Sequence, residues 1–174
     1  EHFTINAYSN ENCNVFPESS DVKWGGSVQF SLDPQEHYHV EKVSVDGESI
    51  NWEEDNRSYL FSNVSADHTI EADFAIDEYS LDISMIGDGE IQVSPDQELY
   101  SHGTEVELLA VSAESMDFSS WDGDIAGKVN SVNLNMNAPK NITAIFSLKT
   151  FDISLVPGGH RTITGDTTVD WGSD

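Results

Sequence analysis

Three times along this chain nearly the same string of residues begins again, and that repetition restricts the fold more than any local motif. Phe3-Thr4-Ile5-Asn6-Ala7 opens one unit, Tyr79-Ser80-Leu81-Asp82-Ile83 a second, and Phe151-Asp152-Ile153-Ser154-Leu155 a third, with starts 76 and 72 residues apart. The closing segments recur too: His68-Thr69-Ile70-Glu71-Ala72-Asp73-Phe74 aligns with Asn141-Ile142-Thr143-Ala144-Ile145-Phe146. A repeat sets the architecture, because each copy is one structural unit. The 174 residues therefore divide into module 1 over residues 1–76, module 2 over 77–148 and the first part of a third over 149–174. Units of this size fold alone, but with a small core. Tandem copies favour spacing, adhesion or display over a single active site.

Within each unit apolar residues alternate with polar ones. Ile70, Ala72 and Phe74 share a face, as do Leu81, Ile83 and Met85, then Val106, Leu108 and Ala110, and Val132, Leu134 and Met136. Period two marks half-buried strands, and no stretch carries a helical stripe. Landmarks align between copies: Pro17 with Pro95 at the end of a short second strand, and Gly25 with Gly103 and Gly172 before the next. Trp24 and Trp171 share the position ahead of that glycine, where module 2 has His102. The fold class expected is all-β: tandem small antiparallel β modules, sandwich-like or a β-grasp-like roll, arranged as an elongated rod. The junctions, Ala75-Ile76-Asp77-Glu78 and Ser147-Leu148-Lys149-Thr150, are short and not Gly/Ser-rich, which limits swing between modules.

Charge removes several function classes. Seven Lys and Arg stand against 32 Asp and Glu, a net charge of −25. Such a surface repels nucleic-acid phosphates and anionic lipid headgroups, so neither is an expected partner. No apolar run approaches membrane-spanning length, which argues against membrane insertion. The single Cys13, in the polar run Asn10–Asn14, is expected in a loop, an unremarkable thiol or the site of an intermolecular disulfide. With no initiator Met and no signal peptide, the expectation is a mature or excised piece of a longer protein.

The residues of module 1 bear a family resemblance. Phe3-Thr4-Ile5, Pro17, Trp24-Gly25-Gly26-Ser27, His37-Tyr38-His39-Val40, Val43-Ser44-Val45-Asp46-Gly47, Tyr59-Leu60-Phe61-Ser62-Asn63-Val64 and Ala66–Phe74 resemble the divergent InlB B-repeat family of bacterial surface proteins. Module 2 resembles another branch of it, through Gly87-Asp88-Gly89, Val93-Ser94-Pro95, Gly103-Thr104, Phe118-Ser119-Ser120-Trp121-Asp122-Gly123-Asp124 and Ile142–Phe146. The resemblance implies a non-enzymatic β-rich module of large secreted or cell-surface bacterial proteins. It implies no ligand.

Some constellations could still carry chemistry. Asp122 and Asp124 flank Gly123, and Asp46 and Glu48 flank Gly47; carboxylate pairs across a glycine turn are candidate Ca²⁺ ligands. Asp-Gly is equally the preferred pair for a tight hairpin turn, and a full calcium-loop pattern is absent. His37 and His39 could begin a zinc site but read more simply as polar strand positions. Of the four tryptophans, Trp121 sits in a core motif and Trp24 and Trp171 recur with the repeat. Trp52 is the least repeat-like, and so the expected candidate for sugar contact. No cofactor other than calcium is suggested, and no catalytic motif appears.

The leading expectation is a non-enzymatic extracellular repeat segment, a spacer, stalk or adhesion module of a bacterial surface or secreted protein. Its partners would be other domains or subunits of the same protein, or a host surface or glycan. A self-assembling fibre subunit, exchanging strands through the incomplete third module, is one alternative. A calcium- or glycan-binding module is the other.

Overall fold

Alternating apolar residues become strands throughout the described part of the chain. A computed structural model describes residues 1–10, 13–53, 56–152 and 168–170. The chain divides into two compact units, Glu1–Asp77 and Glu78–Asp174. Among the described residues there are strands, turns and bends but no helix.

The first unit contains β1 (His2–Ser9), β2 (Cys13–Phe16), β3 (Ser19–Lys23), β4 (Val28–Pro34), β5 (Tyr38–Val45), β6 (Glu48–Ser49), β7 (Ser58–Phe61) and β8 (His68–Ile76). They form a five-stranded sheet in the order β3-β1-β8-β5-β6 and a three-stranded sheet β2-β4-β7. Alternate side chains from both sheets fill one core. Ile5, Val43, Ile70, Ala72 and Phe74 come from the larger sheet, and Val15, Phe30, Leu32 and Phe61 from the smaller. Phe30 and Phe61 meet edge to face at 5.7 Å. Each such buried aromatic or branched side chain contributes roughly 1.5–3 kcal/mol of transfer free energy. Cys13, expected in a loop, instead begins β2 and is buried in this core. The reason is its place one step ahead of Val15 on the inward-facing phase of the strand.

The second unit repeats the plan with β9 (Glu78–Tyr79), β10 (Leu81–Ile86), β11 (Gly89–Ser94), β12 (Tyr100–Ser101), β13 (Thr104–Ser112), β14 (Met116–Gly123), β15 (Ser131–Met136) and β16 (Lys140–Leu148). Its sheets are β10-β16-β14 and β11-β13-β15, with β12 pairing β9. Val106, Leu108, Trp121, Leu134, Met136, Ile142 and Phe146 are buried between them. A further pair, β17 (Thr150–Asp152) and β18 (Thr168–Asp170), follows. Its register sets Phe151 opposite Val169, as Phe3 lies opposite Val22 and Tyr79 opposite Tyr100.

Not every ladder is antiparallel. The first long strand of each unit lies parallel to the last, with Ile5 opposite His68 in one and Leu81 opposite Lys140 in the other. A parallel pair needs a long crossover, and here the intervening chain supplies it, building the second sheet on the way. Sequence alternation is blind to strand direction, so this feature had to come from the structure. Its geometric consequence is direct. Because first and last strands run the same way, the chain enters a module at one end of the sheet and leaves at the other. At roughly 3.3 Å per strand residue, the span is on the order of 35–40 Å.

Other landmarks coincide between copies. Pro17 and Pro95, each just past the end of β2 or β11, both follow cis peptide bonds. Gly25 and Gly103 both have positive φ, 75° and 84°, in the turns that lead to β4 and β13.

Candidate functional site

In a repeat chain the residues that hand the backbone from one module to the next are candidate functional positions. Asp77 is the single residue between β8 and β9, and Lys149 the single residue between β16 and β17. Each is fastened to the module that precedes it by an equivalent bond. The Asp77 N–H donates to the His37 carbonyl at 2.8 Å, and the Lys149 N–H donates to the Ser115 carbonyl at 2.9 Å. Tyr38 opposite Ile76 and Met116 opposite Leu148 set the same register just before each junction. Side chains add different second ties. The Asp77 carboxylate lies 3.0 Å from His39 Nδ1, and the Lys149 ammonium donates to the Glu114 carbonyl at 2.8 Å. The sequence marked both junctions as short, but the ties to His37 and Ser115 depend on register and had no local signal.

The four carboxylates considered for Ca²⁺ fall in two places. Asp46 and Gly47, with φ of 52° and 80°, form the two-residue turn between Val45 and Glu48. Two positive φ values are what a type I′ hairpin turn requires. The Asp46 carboxylate accepts from His68 Nδ1 at 2.6 Å and from the Thr69 N–H at 2.8 Å. Glu48 is exposed on β6. Partial desolvation pushes the Asp46 carboxyl up, but the hydrogen bonds from His68 and Thr69 and the His68 charge outweigh it. The group is held below the usual carboxylate range. In module 2, Gly123 has φ of 98° and Asp124 accepts the Asn141 N–H at 2.6 Å, while Asp122 is exposed at the end of β14. One carboxylate of each pair, Asp46 and Asp124, thus ties its turn to the first residues of the last strand of its module. Among the described residues no three His, Cys, Asp or Glu side chains group as metal ligands do.

His37 and His39 do not converge: His37 sits at φ 67° beside Glu36 at 3.5 Å, and His39 faces Asp77. Trp121 is buried, its Nε1 donating to the Val129 carbonyl at 3.0 Å. Trp52, the tryptophan expected to be available to a ligand, is instead half-buried against the module 1 core, because Ile50 N–H bonds to the Val43 carbonyl and folds this segment inward. Among the described tryptophans Trp24 is the exposed one, at 66%. Trp171 lies outside the described residues.

A profile of the divergent InlB B-repeat domain matches residues 79–150, the span from β9 to the first residue of β17. This repeat is typical of bacterial surface proteins. No curated protein and no solved structure matches the chain. No helix among the described residues is long and apolar enough to cross a membrane.

Proposed function

We propose that this chain, whose second module matches the profile of the divergent InlB B-repeat domain, is a non-enzymatic spacer segment in the extracellular part of a bacterial surface or secreted protein. The observation that carries this reading is the parallel pairing of first and last strands in both modules. A module that takes the chain in at one end and releases it at the other adds length with every copy. A module whose termini met at one end would add bulk without reach. One-residue links tied to His37 and Ser115 support the same reading, since they leave few free backbone dihedrals at each step. The excess of Asp and Glu keeps such a segment hydrated and discourages lateral collapse.

Small-angle X-ray scattering of the full chain tests the proposal. A compact globule of this length would have a radius of gyration of about 16 Å. The spacer reading expects a value well above that, with a maximum dimension near twice the single-module span. A radius close to the globular value would remove it.

A further inference from the structure

The two modules differ at one sheet edge. In the first, β3 covers the outer side of β1 from His2 to Asn6, and the Ala7 N–H continues the ladder by donating to the Glu18 carbonyl at 2.8 Å. In the second, the equivalent cover shrinks to the two-residue strand β12, which reaches only Glu78 and Tyr79. The cause is local. The Tyr100 hydroxyl donates to the Pro95 carbonyl at 3.0 Å and accepts the Gln97 N–H at 3.1 Å, so residues 95–99 close on themselves and do not run along the edge. Among the described residues β10 therefore has a ladder with β16 alone. Among the described residues its outer row of N–H and C=O groups has no ladder partner, and Met85 and Ile86 are exposed at 44% and 59%.

From this edge we infer that β10 is a self-association strand, pairing antiparallel with β10 of a second copy of this chain. Three observations select that occupant. β3 shows that this fold accepts an antiparallel strand at this edge without rearrangement. The strand Leu81-Asp82-Ile83-Ser84-Met85-Ile86 carries one charge, in a chain with 39 charged residues, and it lacks the Lys or Pro that usually protects an edge. A two-fold axis normal to the sheet also narrows the register. It pairs only residues of the same facing, and among those registers the one centred on Ile83 keeps Asp82 off its own copy and stays clear of the turn at Gly87, φ 89°; it sets Ile83 opposite its mate, Leu81 opposite Met85 and Asp82 opposite Ser84. Asp82 thus never meets its own copy. The pairing also stops at Ser80 opposite Ile86, just before β12 takes over the edge.

The opposing force is the net charge of −25 on each copy. Salt screens that repulsion, so the dimer should be weak at low ionic strength and tighten as salt rises. Sedimentation velocity and equilibrium of the full chain, from about 0.05 to 1 M NaCl, reads this out. The expected result is a monomer at low salt and a growing dimer at high salt. Met85→Pro removes an N–H two residues on from Ile83, the equivalent of Ala7, and so on the free side of the strand. It should abolish the dimer while leaving the melting temperature nearly unchanged. Ser84→Glu keeps every backbone donor but places two like-charged pairs across the axis, and should weaken association about tenfold or more. The same charge added at the exposed Ser62 of module 1 should change it less than about twofold. A chain that stays monomeric throughout, or a dimer that both β10 variants leave intact, overturns the assignment. The Ser84→Glu result decides alone if Met85→Pro fails to fold.

Discussion

The side chain of Asn10 holds Phe74 by both of its backbone groups. Its Nδ2 donates to the Phe74 carbonyl at 2.8 Å, and its Oδ1 accepts the Phe74 N–H at 3.1 Å. An amide side chain thus takes the place of one more strand residue after β1 ends at Ser9, prolonging the cover on β8. Module 2 meets the same need differently. Gly87, with φ of 89°, brings its backbone so close to Phe146 that a Cβ would lie 2.5 Å from the Phe146 carbonyl.

Asn10→Ala removes both bonds and leaves the Phe74 groups to water. Since a typical intramolecular hydrogen bond contributes about 0.5–1.5 kcal/mol net and these two are only partly buried, the expected loss is about 1–2 kcal/mol in module 1. Urea denaturation of the variant should show a lower midpoint with an unchanged slope.

The turn carboxylate gives a pH dependence of known sign. Asp46 is held below its ordinary value in the folded chain, so it stabilises the fold at pH above its unfolded value of about 3.9. That contribution disappears as pH falls through the lower, folded value. Asp46→Asn keeps the turn geometry, because Asn tolerates positive φ, and keeps an oxygen for the Thr69 N–H, but removes the charge. Melting temperatures of the two proteins should therefore differ near pH 6 and converge as pH drops below about 4. The side chain is 46% exposed, so screening keeps the difference small. A constant offset across the whole range would show that the carboxylate charge is not what matters.

Much of the fold was legible because burial follows a period of two. Ile70, Ala72 and Phe74, or Val106, Leu108 and Ala110, could be assigned an inward face without coordinates, and all six are buried. Met85 shows where the pattern fails: it keeps the phase but lies near the open end of β10, so it is exposed. The parallel β1–β8 and β10–β16 ladders were not legible, because strand direction is decided by long-range packing that leaves no periodic trace. The tryptophans mark a similar limit. Recurrence of Trp24 with the repeat suggested a structural residue, yet its indole is exposed; repetition reports a shared backbone turn as readily as a shared core contact. At the candidate carboxylates, by contrast, Asp-Gly spacing gave the hairpin turn at Asp46 directly.

Two glycines separate the cost of positive φ from the cost of crowding. Gly47 has φ of 80° and nothing within 4 Å of the place a Cβ would occupy. Gly123 has φ of 98°, and a Cβ there would collide with the carbonyl of Asn141, a backbone atom that cannot rotate away. Gly47→Ala should therefore lose only the left-handed penalty, about 1–2 kcal/mol. Gly123→Ala should lose that plus displacement of β16, about 3 kcal/mol or more. Thermal melts that ranked the two equally would contradict this reading of the β14 turn.

The tryptophans provide the last contrast, and it also bears on where any glycan contact could arise. Trp52 packs against the core formed by both sheets of module 1, while Trp24 projects from the turn between β3 and β4. Trp52→Ala should cost about 1–2 kcal/mol, below the ~3–5 kcal/mol of a fully buried tryptophan because half of the side chain's burial is already incomplete. Trp24→Ala should stay within about 0.5 kcal/mol. Fluorescence quenching by acrylamide gives an independent check: loss of Trp24 should lower the readily quenched fraction, and loss of Trp52 should not. If a sugar ring stacks on module 1 at all, Trp24 is the indole with a free face, so binding on a glycan array should be abolished by Trp24→Ala and survive Trp52→Phe.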